Sequence, residues 1–514
     1  MAVARRRRRR LELPDLGVDV ASALDLVGGV LKWMGAAFAV PAAVALGYGD
    51  PVWPFLVSGG VAAAAGMALD TLTGEHHGEA VGVREGFLVV ALIWLVVPVF
   101  GTLPFLLGDV PQLAKPVDAY FESVSGFTAS GATVLTDIEA LDRSMLFWRQ
   151  FSHWLGGMGI IVLAVAVLPR LRIGGRQLFE SELAGPTQIE RLSTTVRQTA
   201  RRLWRLYVGV TAAAVLLLAA LGWTGLDPAM TLFDAFAHAF SVVSLGGFSS
   251  RNASAAAFAP VTQWLLLALM VIAGVNFLRL WLVIVQRRLR EVARDQELRL
   301  YGAFLVVGAA LLSVELVAGG FADRETDVRH AAFQAVAIMT TTGFATADFS
   351  QWGSLAAMTI LLLMFVGASA GSTCGSIKVI RHLLMFKIVR RELGQTIHRE
   401  AVLPVHVSGR VIGDRALRST IVFVALYLFT FAAGALALSL DARRAGVELP
   451  AFDAFAAAAA CLGNVGPAFG FAGPFGSYAP FSDLSTVLLS GLMWLGRLEI
   501  IPVAVLLTRG YWRA

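Results

Sequence analysis

Apolar residues in this chain fall in long blocks, each about the length that crosses a lipid bilayer. A helix needs roughly 20 mostly apolar residues to cross a hydrocarbon core about 30 Å thick. Hydrophobic residues make up 57% of the 514-residue chain and charged residues 15%, which is too little charge for the surface of a soluble protein of this size. The sequence therefore predicts an all-α integral membrane protein with ten spans. The predicted spans are residues 26–48, 52–71, 87–108, 150–168, 204–223, 262–286, 301–320, 355–389, 418–440 and 483–508.

Basic residues are concentrated in alternate connecting segments, and this asymmetry predicts the orientation. An even number of spans places both termini on one side, and Lys and Arg accumulate on the cytoplasmic side. The basic segments are the Arg5–Arg10 tail, the loops 169–203 and 286–300, and the segment that follows residue 378. We therefore expect a protein of the inner membrane whose two termini both lie in the cytoplasm. The net charge of +6 follows from this topology and does not indicate nucleic-acid binding. The Arg5–Arg10 tail either sets the topology only or also contacts anionic lipid or a partner.

Four segments on the opposite side share one pattern, a short apolar stretch that ends at a glycine. In each, the glycine lies 13 residues after the first residue of the stretch, and three of the four stretches begin with Asp. The second segment offers two adjacent glycines, and only Gly247 keeps this spacing and the Gly-Phe step of Gly343. The segments are DAYFESVSGFTASG at 118–131, DAFAHAFSVVSLGG at 234–247, HAAFQAVAIMTTTG at 330–343 and DAFAAAAACLGNVG at 453–466.

This repeat predicts four short helices that enter the membrane and stop at the glycine. An Asp at the start can cap the first turn and complement the helix dipole. Non-helical backbone at membrane depth is tolerated where it is buried in protein or lines a water-filled cavity. Four such elements, each between two spans, predict a pore, and the carboxyl ends of the helices favour a cation at its centre. The alternative is that the glycines lie in ordinary loop turns.

At these residues the chain resembles the superfamily of potassium transporters that includes the Trk, Ktr and plant HKT proteins. The two spans before residue 72 are similar to the TrkH branch. The resemblance implies four pseudo-repeats around one central pore, potassium as the ion, a homodimer, and a separate TrkA-like nucleotide-binding regulatory subunit in the cytoplasm. The matching motifs are SGFTASGATVL at 125–135, WLGGMGII at 154–161, LGGFS at 245–249, TTTGF at 340–344, AGSTCGSIK at 370–378, GNVGP at 463–467 and MWLGRLE at 493–499.

The candidate selectivity filter consists of backbone carbonyls at and beside the four glycines. A potassium ion must exchange its water shell for protein oxygens, and glycine lets the backbone turn its carbonyls toward the axis. Hydroxyls such as those of Thr128, Ser244 and Thr340 are candidates to support the lip of the filter. In the resembling family, serine at the first glycine position accompanies sodium transport, so Gly131 favours potassium. The candidate filter residues are Ser130, Gly131, Leu245, Gly246, Gly247, Thr342, Gly343, Val465 and Gly466.

A stretch of small and polar residues, GASAGSTCGS at 367–376, interrupts the eighth predicted span. It should break the helix, and the resemblance implies that this loop is a gate below the filter. The alternative is a close-packed patch of small residues between helices. Arg497 in the last span either projects toward the pore or locks two units together; Glu499 lies two residues on and should face another direction. The candidate gate residues are Gly371, Ser372, Thr373, Gly375, Lys378 and Arg497.

The predicted function is potassium uptake across the cytoplasmic membrane, with an ion-coupled secondary transporter, driven by sodium or protons, as the alternative. We expect no enzyme, because the sequence has no His-Glu-x-x-His, no Gly-x-Ser-x-Gly and no paired catalytic carboxylates. We also expect no cofactor, since Cys374 and Cys461 lie on separate segments without metal-ligand spacing. The predicted units are residues 1–72, with the tail and two helices, followed by pore units 1 to 4 at 87–203, 204–300, 301–417 and 418–514.

Overall fold

The structure, a computed structural model, describes residues 17–73, 82–166 and 196–513. The Arg5–Arg10 tail and most of the basic loop 169–203 lie outside the described residues. The described chain is built from helices and one small hairpin. The helices are α1 Val20–Ala37, α2 Ala39–Tyr48, α3 Trp53–Thr73, α4 Val83–Leu107, α5 Pro116–Phe127, α6 Arg143–Ala166, α7 Val196–Trp223, α8 Leu232–Ser244, α9 Pro260–Ala273, α10 Phe277–Ile284, α11 Leu289–Ala293, α12 Gln296–Gly319, α13 Arg324–Met339, α14 Ser354–Met364, α15 Val379–Ile397, α16 Asp414–Ala445, α17 Ala451–Gly463, α18 Asp483–Arg497, α19 Ile501–Leu506 and α20 Arg509–Trp512.

Six helical segments in the described part of the chain are long and apolar enough to cross a membrane without interruption. They comprise α1 with α2, followed by α3, α4, α7, α12 and α16. Six of the ten predicted spans are therefore continuous apolar helices in the described residues. The pair α9 and α10 bends by 107° at residues 274–276, and other predicted spans are interrupted between α14 and α15 and between α18 and α19. Apart from the small and polar stretch at 367–376, the apolar composition gives little sign of these breaks, although the helix is interrupted at each of them. The break predicted within 367–376 is confirmed.

Four short helices, α5, α8, α13 and α17, each lie between two longer elements, which gives the predicted membrane helix, re-entrant helix, membrane helix order. The units pack in a closed cycle. The second long element of each unit, α6, α9, α14 or α18, contacts the re-entrant helix of the next unit, and α18 of unit 4 returns to α5 of unit 1. This arrangement surrounds a single axis and buries the re-entrant helices in one continuous hydrophobic core. The all-α membrane fold is confirmed.

The two additional N-terminal segments pack against each other and against α4 and α6. Helices α1 and α3 approach closely at two glycine pairs, where a Cβ atom on Gly28 or Gly35 would lie less than 3.0 Å from the carbonyl oxygen of Gly66 or Gly59. Small residues let membrane helices approach in this way. An ion pair between Lys32 and Asp70 joins the same two helices.

A two-stranded hairpin, β1 Val405–Val407 and β2 Arg410–Ile412, connects α15 to α16. Sequence analysis did not predict it. Its inward residues join a small apolar cluster with Leu384 and Ile388 of α15. The hairpin thereby fixes the connection between units 3 and 4 at the end of α15.

Candidate ion pore

The four re-entrant helices end just before the glycines that the spacing singled out. Their amino ends differ from the prediction that Asp118, Asp234 and Asp453 are the capping residues. The positions that precede the helices are Lys115, Thr231, Asp323 and Pro450. Asp118, Asp234 and Asp453 lie inside the first turn instead, where a carboxylate still complements the helix dipole. The third helix also begins six residues earlier than the repeat at His330, because Asp323 caps it by accepting from the Thr326 amide.

The four segments that follow the helices share one backbone conformation. Each glycine has a positive φ, of +82°, +81°, +78° and +99° at Gly131, Gly247, Gly343 and Gly466. The residue two positions earlier is also left-handed in every segment, with φ between 51° and 56°. Positive φ is costly for residues that carry a Cβ atom and free for glycine. Gly247 and not Gly246 has this conformation, as the spacing predicted.

The glycines form a ring in which each one packs on the backbone of the next segment. A Cβ atom on any of them would lie less than 3.0 Å from the carbonyl oxygen of the residue that precedes the next glycine. The ring closes in chain order, since the glycine of unit 4 meets the carbonyl of unit 1. No side chain fits at these four positions without moving a neighbour. The contacts are Gly131 with Gly246, Gly247 with Thr342, Gly343 with Val465, and Gly466 with Ser130.

Side chains beside the glycines point into protein and not toward the axis. Ser130, Thr342 and Val465 are fully buried. The Ser130 hydroxyl pairs with that of Thr128 at 2.7 Å, and Thr342 pairs with Thr340 at the same distance. Because the Ser130 and Thr342 hydroxyls are engaged in these pairs, the backbone carbonyls are the groups available to line the axis. Thr128 and Thr340 also donate to the last turns of their own helices, at Val124 and Val336, as does Ser244 at Phe240.

One cavity touches all four glycines and is also lined by the residues that follow them in units 1, 2 and 4. Two arginines, Arg149 and Arg251, also line it. Each is neutralised by a carboxylate: Arg149 Nε lies 2.7 Å from Glu122 Oε1 with both side chains fully buried, and Arg251 lies 2.6 Å from Asp234. The entrance to the ring therefore carries no uncompensated positive charge from these two side chains that would repel a cation.

The interrupted segment between α14 and α15 lies on the other face of the ring, against the carboxyl ends of three re-entrant helices. The Thr373 hydroxyl donates to the Val243 carbonyl of unit 2 at 3.3 Å. The Gly375 amide donates to Thr341 Oγ1 of unit 3 at 2.9 Å. A Cβ atom on Gly375 would also lie less than 3.0 Å from the carbonyl oxygen of Gly463 in unit 4. We call residues 365–378 the intramembrane loop.

Arg497 holds this loop from unit 4. The side chain is 2% exposed and donates to the Thr373 carbonyl at 2.7 Å and to the Gly156 carbonyl of unit 1 at 3.2 Å. It therefore bridges the loop and a third unit. Glu499 pairs with Arg381 instead, as the two-residue offset predicted.

The remaining candidate gate residues lie within the loop, and two of them donate hydrogen bonds to its own carbonyl groups. Lys378 is buried and its ammonium donates to the Cys374 carbonyl. The Ser372 hydroxyl donates to the Ser369 carbonyl at 2.6 Å. Gly371 has a φ of +74°. These contacts give the loop a defined conformation.

Sequence reasoning missed the groups that anchor the first half of the loop. The Ala370 amide donates to Glu297 Oε1 at 2.7 Å, and Asn276 Nδ2 donates to the Ala370 carbonyl at 2.6 Å. Arg279 neutralises Glu297 at 2.8 Å. The available signal was the presence of charges within or beside apolar spans, which usually marks a functional element; Arg279 lies within the predicted span 262–286.

A ring of four re-entrant helices around one axis, closed on one face by an intramembrane loop, defines a membrane protein with a single pore-loop assembly of fourfold pseudosymmetry. The sequence matches the TrkH cation transport protein family over residues 55–510. It is 35% identical over 492 residues to the Trk system potassium uptake protein TrkH of Halomonas elongata, which covers 95% of this chain and 98% of the relative. The protein of the same description from Escherichia coli K12 is 35% identical over 491 residues, at 95% and 98% coverage.

A solved structure agrees with these relatives. The crystal structure of the potassium transporter TrkH from Vibrio parahaemolyticus superposes with a TM-score of 0.85 at 32% identity, covering 96% of this chain and 100% of that one. The chain therefore belongs to the TrkH family of cation transport proteins, and the resemblance drawn from its motifs is confirmed.

Proposed function

We propose that this chain takes up potassium ions across the cytoplasmic membrane through the backbone ring at Gly131, Gly247, Gly343 and Gly466. The closed ring of four left-handed glycines is the observation that carries the proposal. Four segments of equal conformation offer carbonyl oxygens around one axis, which is the arrangement that replaces the water shell of a cation. Relatives described as potassium uptake proteins and as a potassium transporter support the choice of ion.

Selectivity in this proposal comes from a short filter. Each segment has one glycine of positive φ at the ring, so few carbonyl layers are available, and we expect modest discrimination against sodium. The carboxyl ends of four re-entrant helices add negative potential below the ring. The ion is the transported substrate, and the proposal needs neither a resident cofactor nor catalytic chemistry.

Gating in this proposal is performed by the intramembrane loop. The loop contacts the ends of three re-entrant helices directly, through Thr373 and Gly375, and Arg497 ties it to the remaining unit. A segment of small residues against the base of the ring obstructs ions when it is in place. It can move at low cost in packing, because it buries little side-chain bulk.

The assembly we propose is a homodimer in the inner membrane with both termini in the cytoplasm. A TrkA-like nucleotide-binding subunit binds the basic cytoplasmic segments and acts on the gate. The basic residues of 286–300 and of the segment after residue 378 support this orientation.

Substitution Gly131→Ser tests the filter. Its Cβ atom would meet the Gly246 carbonyl, and its φ of +82° would be strained, so the ring must distort. We expect sodium to compete better against rubidium uptake into proteoliposomes. Gly49→Ser is the matched control, since Gly49 has a φ of +79° with open space around it. An unchanged ion preference in Gly131→Ser would contradict the filter assignment.

Uptake with and without a proton gradient separates a channel from a coupled transporter.

A further inference from the structure

Thr341 joins the candidate filter to the candidate gate. It lies two residues before Gly343 and is 1% exposed. Its hydroxyl accepts the Gly375 amide at 2.9 Å and donates to Cys374 Sγ at 3.2 Å. Cys374 is held in turn by the Ala368 amide at 3.0 Å, so the contact reaches both halves of the loop.

The equivalent positions in the other units make no such contact. Units 1 and 2 have Ala129 and Leu245, whose side chains cannot form hydrogen bonds. In unit 4 the amide of Asn464 donates to the Ser130 hydroxyl at 2.7 Å and to the Met493 carbonyl at 3.0 Å, neither of which belongs to the loop. Among the four equivalent residues, only Thr341 has a hydrogen bond between its side chain and the loop in the described structure.

Backbone conformation gives a second reason to assign a role to this hydroxyl. Thr341 has a φ of +56°. A β-branched residue is a poor choice at positive φ, and such a conformation persists only where surrounding contacts impose it. Alanine occupies the same conformation in unit 1 at lower cost. A threonine is therefore accounted for by its hydroxyl and not by its backbone preference.

We infer that Thr341 is a positioning residue that latches the intramembrane loop closed against the filter of unit 3. The inference rests on the proposed function, because it needs the loop to be the gate. In the closed state the hydroxyl satisfies the Gly375 amide. When the loop moves away, this bond breaks while the filter glycines keep their ring. Thr341 therefore sets the fraction of open pores and not their ion preference.

Substitution Thr341→Ala tests the latch, since the backbone accepts alanine at Ala129. Loss of the hydroxyl leaves the Gly375 amide unsatisfied in the closed state only, so we expect a roughly five- to thirtyfold shift toward the open state. The measurement is the initial rate of rubidium uptake into proteoliposomes at matched protein amounts. Sodium competition should stay at the wild-type level. Thr341→Ser keeps the hydroxyl and should restore wild-type flux.

Two further proteins serve as checks on folding and burial. Thr341→Val keeps the shape of the side chain without the hydroxyl. It replaces Thr341→Ala if the alanine protein fails to elute as a folded species, and it should then show the same rise in flux. Thr420→Val removes another threonine hydroxyl that is 1% exposed and donates only within its own helix, to Ala416, and should leave flux unchanged.

A double-mutant cycle decides between a latch and a filter brace. Deletion of residues 373–375 removes both partners of Thr341, so Thr341→Ala should add no further flux in that background. The latch would be overturned if Thr341→Ala raised flux by the same factor in the deletion background as in the wild type. A changed ion preference in both backgrounds would also overturn it. If the deletion alone fails to raise flux, the gate itself is wrong. If the deletion raises flux and Thr341→Ala does not, only the latch fails.

Discussion

Arg497 offers a sharp test of how the pore is closed, because one substitution separates its two possible actions. The guanidinium bridges the Thr373 carbonyl of the loop and the Gly156 carbonyl of unit 1, and it is almost fully buried. It can hold the loop closed mechanically, or its charge can repel cations below the filter. Arg497→Lys keeps the charge and Arg497→Gln removes it, while both lose the fixed two-carbonyl geometry of arginine.

The expected effect of Arg497→Lys follows from the bonds lost. An ammonium reaches one carbonyl where the guanidinium reaches two, so one charge-assisted hydrogen bond disappears. Such a bond contributes about 1.5–3 kcal/mol. If it exists only in the closed state, the ratio of closed to open pores falls by roughly 10- to 140-fold. Flux should rise by this factor until nearly all pores are open.

The assay is the initial rate of rubidium uptake into proteoliposomes, with folded protein quantified after size-exclusion chromatography. A clamp predicts that Arg497→Lys and Arg497→Gln both raise flux. An electrostatic barrier predicts that Arg497→Gln raises flux and Arg497→Lys does not. Arg329→Lys is the matched control, because Arg329 is 6% exposed and is held by Gln263 and Glu325, away from the loop. Wild-type flux in both Arg497 variants would refute the reasoning.

Two other predictions concern the gate and its regulation. Deletion of residues 373–375 should raise potassium flux while ion preference stays near wild type, because the re-entrant helices belong to other segments; equal or lower flux from a folded deletion protein would mean that the loop only packs. A TrkA-like protein from the same source should co-purify with this chain, and full nucleotide regulation of the purified chain alone would contradict the need for that partner.

The ring of four glycines could be predicted from the sequence because its causes are local. Equal spacing of four glycines reflects four backbones of one conformation, and the choice of Gly247 over Gly246 needed only that spacing. The left-handed φ at each glycine follows from the absence of a Cβ atom. The amino ends of the helices were less predictable. The second re-entrant helix is capped by Thr231, three residues before Asp234, at which the repeat begins.

Helix breaks inside apolar spans were mostly missed, because their cause is distant. The bend after α9 leaves the Gly274 carbonyl free for the Ser369 amide of the loop at 3.1 Å. The break after α18 contains Glu499 and Ile500, both with positive φ. An apolar sequence does not show that a backbone carbonyl will accept a hydrogen bond from an amide nearly a hundred residues away.

Buried charges behind the glycine ring were also missed as pairs. Glu122 and Arg149 are 27 residues apart, and their contact depends on how α5 packs on α6. Behind the glycine segment of unit 1, Glu122 accepts the Thr133 hydroxyl at 2.9 Å. Unit 2 repeats this brace with other chemistry, as His238 Nε2 lies 2.9 Å from the Ser249 hydroxyl at the equivalent positions.

Unit 3 departs from this pattern at the point where the loop binds. Gln334 occupies the bracing position, but its counterpart after the glycine is Ala345, and the Gln334 amide has no hydrogen-bond partner in the described structure. The glycine segment of unit 3 has other hydrogen bonds: the Ala345 amide donates to the Ser254 hydroxyl of unit 2 at 3.1 Å, and Thr341 accepts the Gly375 amide of the loop at 2.9 Å. Backbone geometry is thus fourfold, while the side chains that support it are not. The loop therefore makes with unit 3 a side-chain hydrogen bond that the equivalent residues of the other three units lack, while Gly343 keeps its own contact with the Val465 carbonyl of unit 4.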